Sequence, residues 1–159
     1  MSGLTHLDAD GRARMVDVSE KVDTLREATA VGRILMSAAT LDLAVSGRGR
    51  KGEVFAVAEI AGVMAAKRTS DLIPLCHPLP LTGAEVRVRA VEGGLEATAR
   101  VRTTAPTGVE MEALTAVTVA LLTLYDMLKA ADRAMTLEGV RVVSKTGGRS
   151  HGEGAQTHG

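Results

Sequence analysis

The chain has no tryptophan, one phenylalanine, one tyrosine and one cysteine, and its basic and acidic residues cancel. Each shortage removes a class of function. The lone thiol, Cys76, excludes an intrachain disulfide and any multi-thiolate zinc or iron–sulfur site, which makes a reducing compartment the expectation. Nineteen Lys and Arg against nineteen Asp and Glu leave no broad field to draw in nucleic acid or a membrane surface, so any basic site has to be local. With only Phe55 and Tyr125 to offer, base stacking on aromatic faces is disfavoured as a binding mode. No uninterrupted apolar run approaches the ~18 residues of a membrane span, and residues 1–10 hold no signal-type apolar core. The expectation is a soluble, cytoplasmic protein with no nucleic-acid or membrane partner.

What the chain does have is length for one domain: 159 residues, enough to bury about 68–70% of the unfolded surface. The 45% apolar content is mostly Ala, Val, Leu, Ile and Met. Thin side chains bury less area per residue than aromatics, so burial between subunits is a natural supplement.

Residues 1–14 lack periodicity and read as a mobile arm. Within them Asp8, Asp10 and Gly11 read as a turn, because the other positions of a calcium loop are missing. Arg26 to Met36 reads as a strand. Ser37 can cap a short helix over Ala38 to Val45 that Gly47 stops. Val54, Val57, Ala58, Ala61, Met64 and Ala65 recur at helical spacing, which predicts a helix from Glu53 to Lys67. Ile73-Pro74 and His77-Pro78-Leu79-Pro80 then demand an extended, bent connection. Glu85 to Val91 and Leu95 to Arg102 alternate apolar with polar about Gly93-Gly94, the signature of an antiparallel hairpin. Thr107 with Glu110 forms a capping-box pattern opening a long helix to about Ala131, and Arg141 to Lys145 reads as a last strand. The order predicts one α+β domain over residues 15–150, with helices on one face of an antiparallel sheet, followed by a flexible tail at 151–159.

Two glycine-plus-base segments stand out: G-R-G-R-K-G at Gly47 to Gly52 and K-T-G-G-R-S at Lys145 to Ser150. Exposed backbone N–H groups beside flexible cations hold phosphate oxygens, and neither segment is a Walker A loop or a dinucleotide fingerprint. Taken alone each reads as a solvated turn; together with Lys67-Arg68 they raise a polyphosphate ligand to equal standing. His77 has two readings, a loop histidine bonded to backbone or a substrate-facing group. Adjacent Cys76 and His77 do not comfortably chelate one ion and the other histidines lie in the two tails, so no metal site is expected. Cys76 reads as a buried thiol rather than a nucleophile, having no identifiable base. On the long helix Glu112, Thr115, Val119, Leu122, Asp126 and Lys129 share one stripe. Asp126 and Lys129 read first as a surface i, i+3 pair contributing about 0.2–0.5 kcal/mol, and second as a buried acid–base pair.

Several segments together resemble one family: M-V-D-V-S-E-K (Met15 to Lys21), A-A-K-R-T (Ala65 to Thr69), D-L-I-P-L-C-H-P-L (Asp71 to Leu79), T-G-V-E-M-E-A-L-T-A (Thr107 to Ala116), Y-D-M-L-K-A (Tyr125 to Ala130) and K-T-G-G-R-S. They are collinear over Leu4 to Ser150 and resemble the cyclic pyranopterin monophosphate synthases, the molybdenum-cofactor biosynthesis protein C family. The resemblance implies a ferredoxin-like α+β fold and a homohexamer, a trimer of dimers with sites between subunits. It also implies lyase chemistry: the 3′,8-cyclised dihydro-GTP intermediate becomes cyclic pyranopterin monophosphate and pyrophosphate leaves. No cofactor is implied, and whether magnesium assists is not legible.

By the same resemblance Asp126 matches the family's acid–base position, and Lys51, Lys129 and Lys145 are catalytic or phosphate-binding in roles the sequence leaves interchangeable. Leu75, Cys76, His77, Met111, Glu112 and Lys67 match substrate-contacting positions. The last motif departs from the family's usual pattern: Arg149 stands for a lysine and His151 for a glycine. The rival reading is a non-catalytic nucleotide- or anion-binding regulatory module.

Overall fold

A computed structural model describes residues 3–47 and 53–148. Lys51, the rest of the first basic segment after Gly47, and everything from Arg149 onward lie outside the described residues.

Four strands, β1 (Thr24–Leu35), β2 (Leu81–Val91), β3 (Gly94–Ala105) and β4 (Thr136–Thr146), form one sheet in the order β2-β3-β1-β4. All three pairings are antiparallel. Two long helices, α2 (Val54–Lys67) and α4 (Glu110–Leu128), alternate with the strands, and the short α1 (Ala38–Ser46) and α3 (Thr69–Leu72) flank α2. Reduced to its long elements the chain runs β-α-β-β-α-β on a 4-1-3-2 sheet, which is the ferredoxin-like arrangement expected.

Strand alternation decides which face the helices cover. Ala28, Ala30 and Ile34 of β1 and Leu95, Ala97, Ala99 and Val101 of β3 are fully buried, against Ala113, Ala116, Val117, Ala120, Leu121 and Leu124 of α4. The opposite face carries charge in cross-strand pairs: Glu96 binds Arg33 and Arg89, and Glu27 binds Arg100 and Arg102. No aromatic enters the fully buried core, and its small side chains let the layers approach closely. A Cβ added at Gly62 of α2 would meet the Ala116 carbonyl of α4 and Val86 of β2 at 3.0 Å.

Ser37 caps α1 by accepting the Thr40 N–H, and Gly47 ends that helix in the left-handed region, as the sequence implies. The hairpin closes through Glu92-Gly93, with Val91 paired to Gly94. Asp8 accepts the N–H groups of Asp10 and Arg12, so the Asp8–Gly11 segment is a turn, clasped by a bridge between Leu7 and Ala13.

Three local expectations fail. The Thr107–Glu110 capping box does not form: α4 begins at Glu110 on Val109, with no side-chain cap. The Glu110 carboxylate lies back over Gly108 and reaches Lys145 instead. The helix stops at Leu128, whose carbonyl accepts the N–H groups of Ala131 and Asp132 in a closing turn. The α2 stripe splits, because Gly62 and Ala66 complete the buried face while Val57 and Met64 turn outward with Ile60. By length and composition α4 is also the one helix among the described residues apolar enough to cross a membrane; here its apolar side is packed on β1, β3 and α2.

Candidate active site

The N-terminal turn of α4 sits where three other segments end. β3 leads into it through Ala105 and Pro106; β1 starts opposite Ala105; and β4 brings Lys145 alongside Ala28 of β1. Arg26 ties this corner together, its guanidinium donating to the carbonyls of Ala105 and Pro106. The proline-broken connection from α3 to β2 crosses the same corner. It is anchored by the Cys76 N–H on the Ile73 carbonyl and by the Thr103 hydroxyl on the Pro80 carbonyl, at 2.6 Å. A loop held at both ends presents Leu75, Cys76 and His77 at fixed positions although it has no regular structure.

The contacts at this corner are specific. The Cys76 thiol donates to Oε2 of Glu112 across 3.7 Å, and Glu112 is only 3% exposed. Burial pushes the Glu112 carboxyl above its ordinary range, and the charge on Glu110 adds to that; its own backbone N–H and the Cys76 thiol act in the opposite sense. Burial, then the neighbouring Glu112, pushes the Cys76 thiol up to about 11. A thiol so placed stays protonated at neutral pH and is a hydrogen-bond donor, not a nucleophile. Glu112 in turn is a carboxyl whose proton is held more tightly than usual beside an apolar core, the property a general acid needs.

Lys145 Nζ stands 3.8 Å from Oε1 of Glu110. Met111 is 37% exposed, and Lys67 closes α2 on the surface just before α3 and the Cys76 loop. The His77 ring nitrogen Nε2 lies 2.6 Å from the Val16 carbonyl. His77 also lines a cavity of about 610 Å³ with Met15 to Ser19, Lys21, Asp23 and Pro106.

Asp126 and Lys129 are elsewhere. They form an i, i+3 ion pair at 2.9 Å near the far end of α4, with side chains 60% and 55% exposed. Fourteen residues of helix separate Asp126 from Glu112, about 21 Å at ~1.5 Å per residue. Within one chain the structure therefore collects Leu75, Cys76, His77, Met111, Glu112 and Lys145 at one end of α4 and leaves Asp126 and Lys129 at the other.

Two participants escaped sequence reasoning. Glu110 was read as a cap, and nothing local links it to a lysine three elements later. The Val16 carbonyl is backbone, so no side-chain pattern announces it. The one available signal is that M-V-D-V-S-E-K is among the segments that carry the family resemblance. Among the described residues no group of three or more His, Cys, Asp or Glu side chains is placed to hold a metal ion.

Comparison with known proteins places these segments in context. Residues 15–148 match the model of the MoaC family. The chain is 60% identical over 152 residues to the cyclic pyranopterin monophosphate synthase of Thermomicrobium roseum, a match covering 94% of this chain and 92% of that protein. It is 59% identical to the protein of that name from Pelotomaculum thermopropionicum, covering 94% and 89%. Against that of a Methylobacterium species it is 58% identical, covering 94% and 95%.

Proposed function

The chain belongs to the MoaC family, and from that premise we propose that it converts the 3′,8-cyclised dihydro-GTP intermediate into cyclic pyranopterin monophosphate with release of pyrophosphate. The observation that carries this reading is the end-to-end identity of about 60% with proteins named for that reaction. The reaction opens the purine five-membered ring and closes a pterin ring. A sugar hydroxyl then forms a bond to the α-phosphorus while the bond from that phosphorus to the bridging oxygen of the β-phosphate breaks.

The geometry supports assigning groups to these tasks. A triphosphate needs cations at fixed positions, and Lys145 and Lys67 supply them, with Lys51 assigned by the family resemblance alone; Lys145 is already aimed at the α4 N-terminus, where backbone N–H groups also favour anions. Ring opening and closure need proton transfers, for which Glu112, His77 and the Asp126–Lys129 pair are the candidates. Leu75, Cys76 and Met111 line the substrate. No resident cofactor belongs to this reading, and turnover in the presence of a chelator tests that point and the use of magnesium together.

The 21 Å between the two ends of α4 argues that a complete site draws on two chains. The stripe between them is not sealed within one chain: Leu122 is 53% exposed. A two-fold pair of antiparallel α4 helices would bring Glu112 of one subunit to Asp126 of the other, giving two composite sites per dimer. The exposed apolar residues Leu25, Ile60 and Val143 leave further surface for assembling three such dimers into a hexamer in the cytoplasm.

The decisive experiment gives the purified protein the 3′,8-cyclised dihydro-GTP and measures pyrophosphate and pterin. Release of both is the expected result. Binding without release would establish the alternative, a non-catalytic nucleotide- or anion-binding module.

A further inference from the structure

The M-V-D-V-S-E-K segment has no task in the scheme above, yet it contributes the main wall of the cavity beside His77 and the only hydrogen-bond partner that the His77 ring has among the described residues. A backbone carbonyl can only accept. At 2.6 Å from the Val16 carbonyl, Nε2 of His77 must therefore carry hydrogen, whether the ring is neutral or charged. In the neutral ring that leaves the lone pair on Nδ1, to which no described residue bonds.

The segment that aims the carbonyl is itself held. The Asp17 carboxylate accepts both the N–H and the hydroxyl of Ser19, closing a turn directly after Val16. Asp17 also faces His77: the Ser19 hydroxyl, then the Ser19 N–H, and in lesser part the charge of His77 hold its carboxyl below the ordinary range.

We propose that residues 15–19 are a positioning strap that fixes His77 in its Nε2–H form, so that Nδ1 is the atom that takes and returns a proton during turnover, with Asp17 as the positioning residue. The catalytic part rests on the function proposed above; the tautomer does not, and the experiment separates them.

The full chain labelled with ¹⁵N-histidine, without substrate, is examined by long-range ¹H–¹⁵N correlation at a pH where the ring is neutral. The His77 signals are those lost in His77→Gln. A pyrrole-type shift at Nε2 and a pyridine-type shift at Nδ1 are expected; the reverse pattern, or two averaged shifts, overturns the proposal. Asp17→Ala opens the turn and should average the two shifts. In the assay with 3′,8-cyclised dihydro-GTP it should lower kcat by roughly tenfold with KM nearly unchanged, a fraction of what a whole acid–base group contributes. Asp17→Asn keeps the accepting oxygen and should restore both readouts. A fixed tautomer in Asp17→Ala, or Asp17→Asn behaving like Asp17→Ala, refutes the strap. Should the wild-type protein form no product, the function fails while the spectrum still decides the tautomer. Should His77→Gln, which keeps a donor toward Val16 but offers no Nδ1, turn over normally, the role of Nδ1 is overturned.

Discussion

If Glu112 and Asp126 serve one site from two subunits, two dead proteins should make a live one. Glu112→Ala and Asp126→Ala remove groups about 21 Å apart along one helix, from fourteen residues at ~1.5 Å each. That distance exceeds the reach of two carboxylates to one reacting atom by severalfold. In a two-fold dimer each site takes Glu112 from one subunit and Asp126 from the other. A mixed dimer then holds one site with both groups and one with neither. Random exchange of equal amounts makes half of all dimers mixed, and half of their sites intact. Recovery should approach about one quarter of wild-type activity when the sites act independently, by counting over the isologous pairing. The assay is pyrophosphate release after mild dissociation and reassembly, with exchange verified by mass spectrometry of differently tagged subunits. Exchange without recovery would refute the two-chain site, placing both carboxylates in one subunit's half or removing Glu112 from the chemistry.

Lys145→Ala should weaken substrate binding, and the loss should shrink as salt rises, because an exposed cation acting on phosphate is screened; titration calorimetry at two ionic strengths checks this, and unchanged affinity would make the segment a simple turn. With its thiol at about 11, Cys76 should react with iodoacetamide at pH 8 roughly tenfold more slowly than free cysteine, after allowing for the greater nucleophilicity of a more basic thiolate; Glu112→Gln should speed the reaction, and a free-cysteine rate in the wild type would contradict the burial argument. Burial works to raise Glu96, but hydrogen bonds from Arg89 and Arg33 outweigh it and hold the carboxyl below its ordinary 4.5. Its folded value lies under its unfolded one, so its stabilisation is complete above that ordinary value and is lost as pH falls through the folded value. Glu96→Gln should therefore flatten the acid limb of a stability–pH curve, and an unchanged limb would count against the pairing. Gly94→Ala would set a Cβ 1.9 Å from the backbone carbonyl of Ile34, which should cost on the order of 3 kcal/mol or more; a wild-type melting temperature would show that β1 and β3 do not meet as described.

Local chemistry settled much of this protein before any folding. Alternation about Gly93-Gly94 determined the hairpin, since a residue's face in a strand depends only on its parity. Ser37 and Gly47 determined the ends of α1, because a cap acts on its own helix within a turn. The collinear motifs identified the family. What the sequence could not decide was everything that depends on a distant partner. Thr107 and Glu110 have capping-box spacing, but Glu110 had a better use, a lysine delivered by β4 when that strand paired with β1. Val57 and Met64 have core spacing on α2, yet burial follows where the sheet and α4 lie, and a helix alone does not know that. His77 had two open readings until the chain before β1 came back over it and offered the Val16 carbonyl. Glu112 and Asp126 share a stripe and stand about 21 Å apart in any helix that spans both; the structure adds that α4 does span both and exposes Asp126 while it buries Glu112. Periodicity is a property of neighbours along the chain and survives in the sequence, whereas a site is a property of neighbours in space, which exist only after the sheet has closed its long-range pairings.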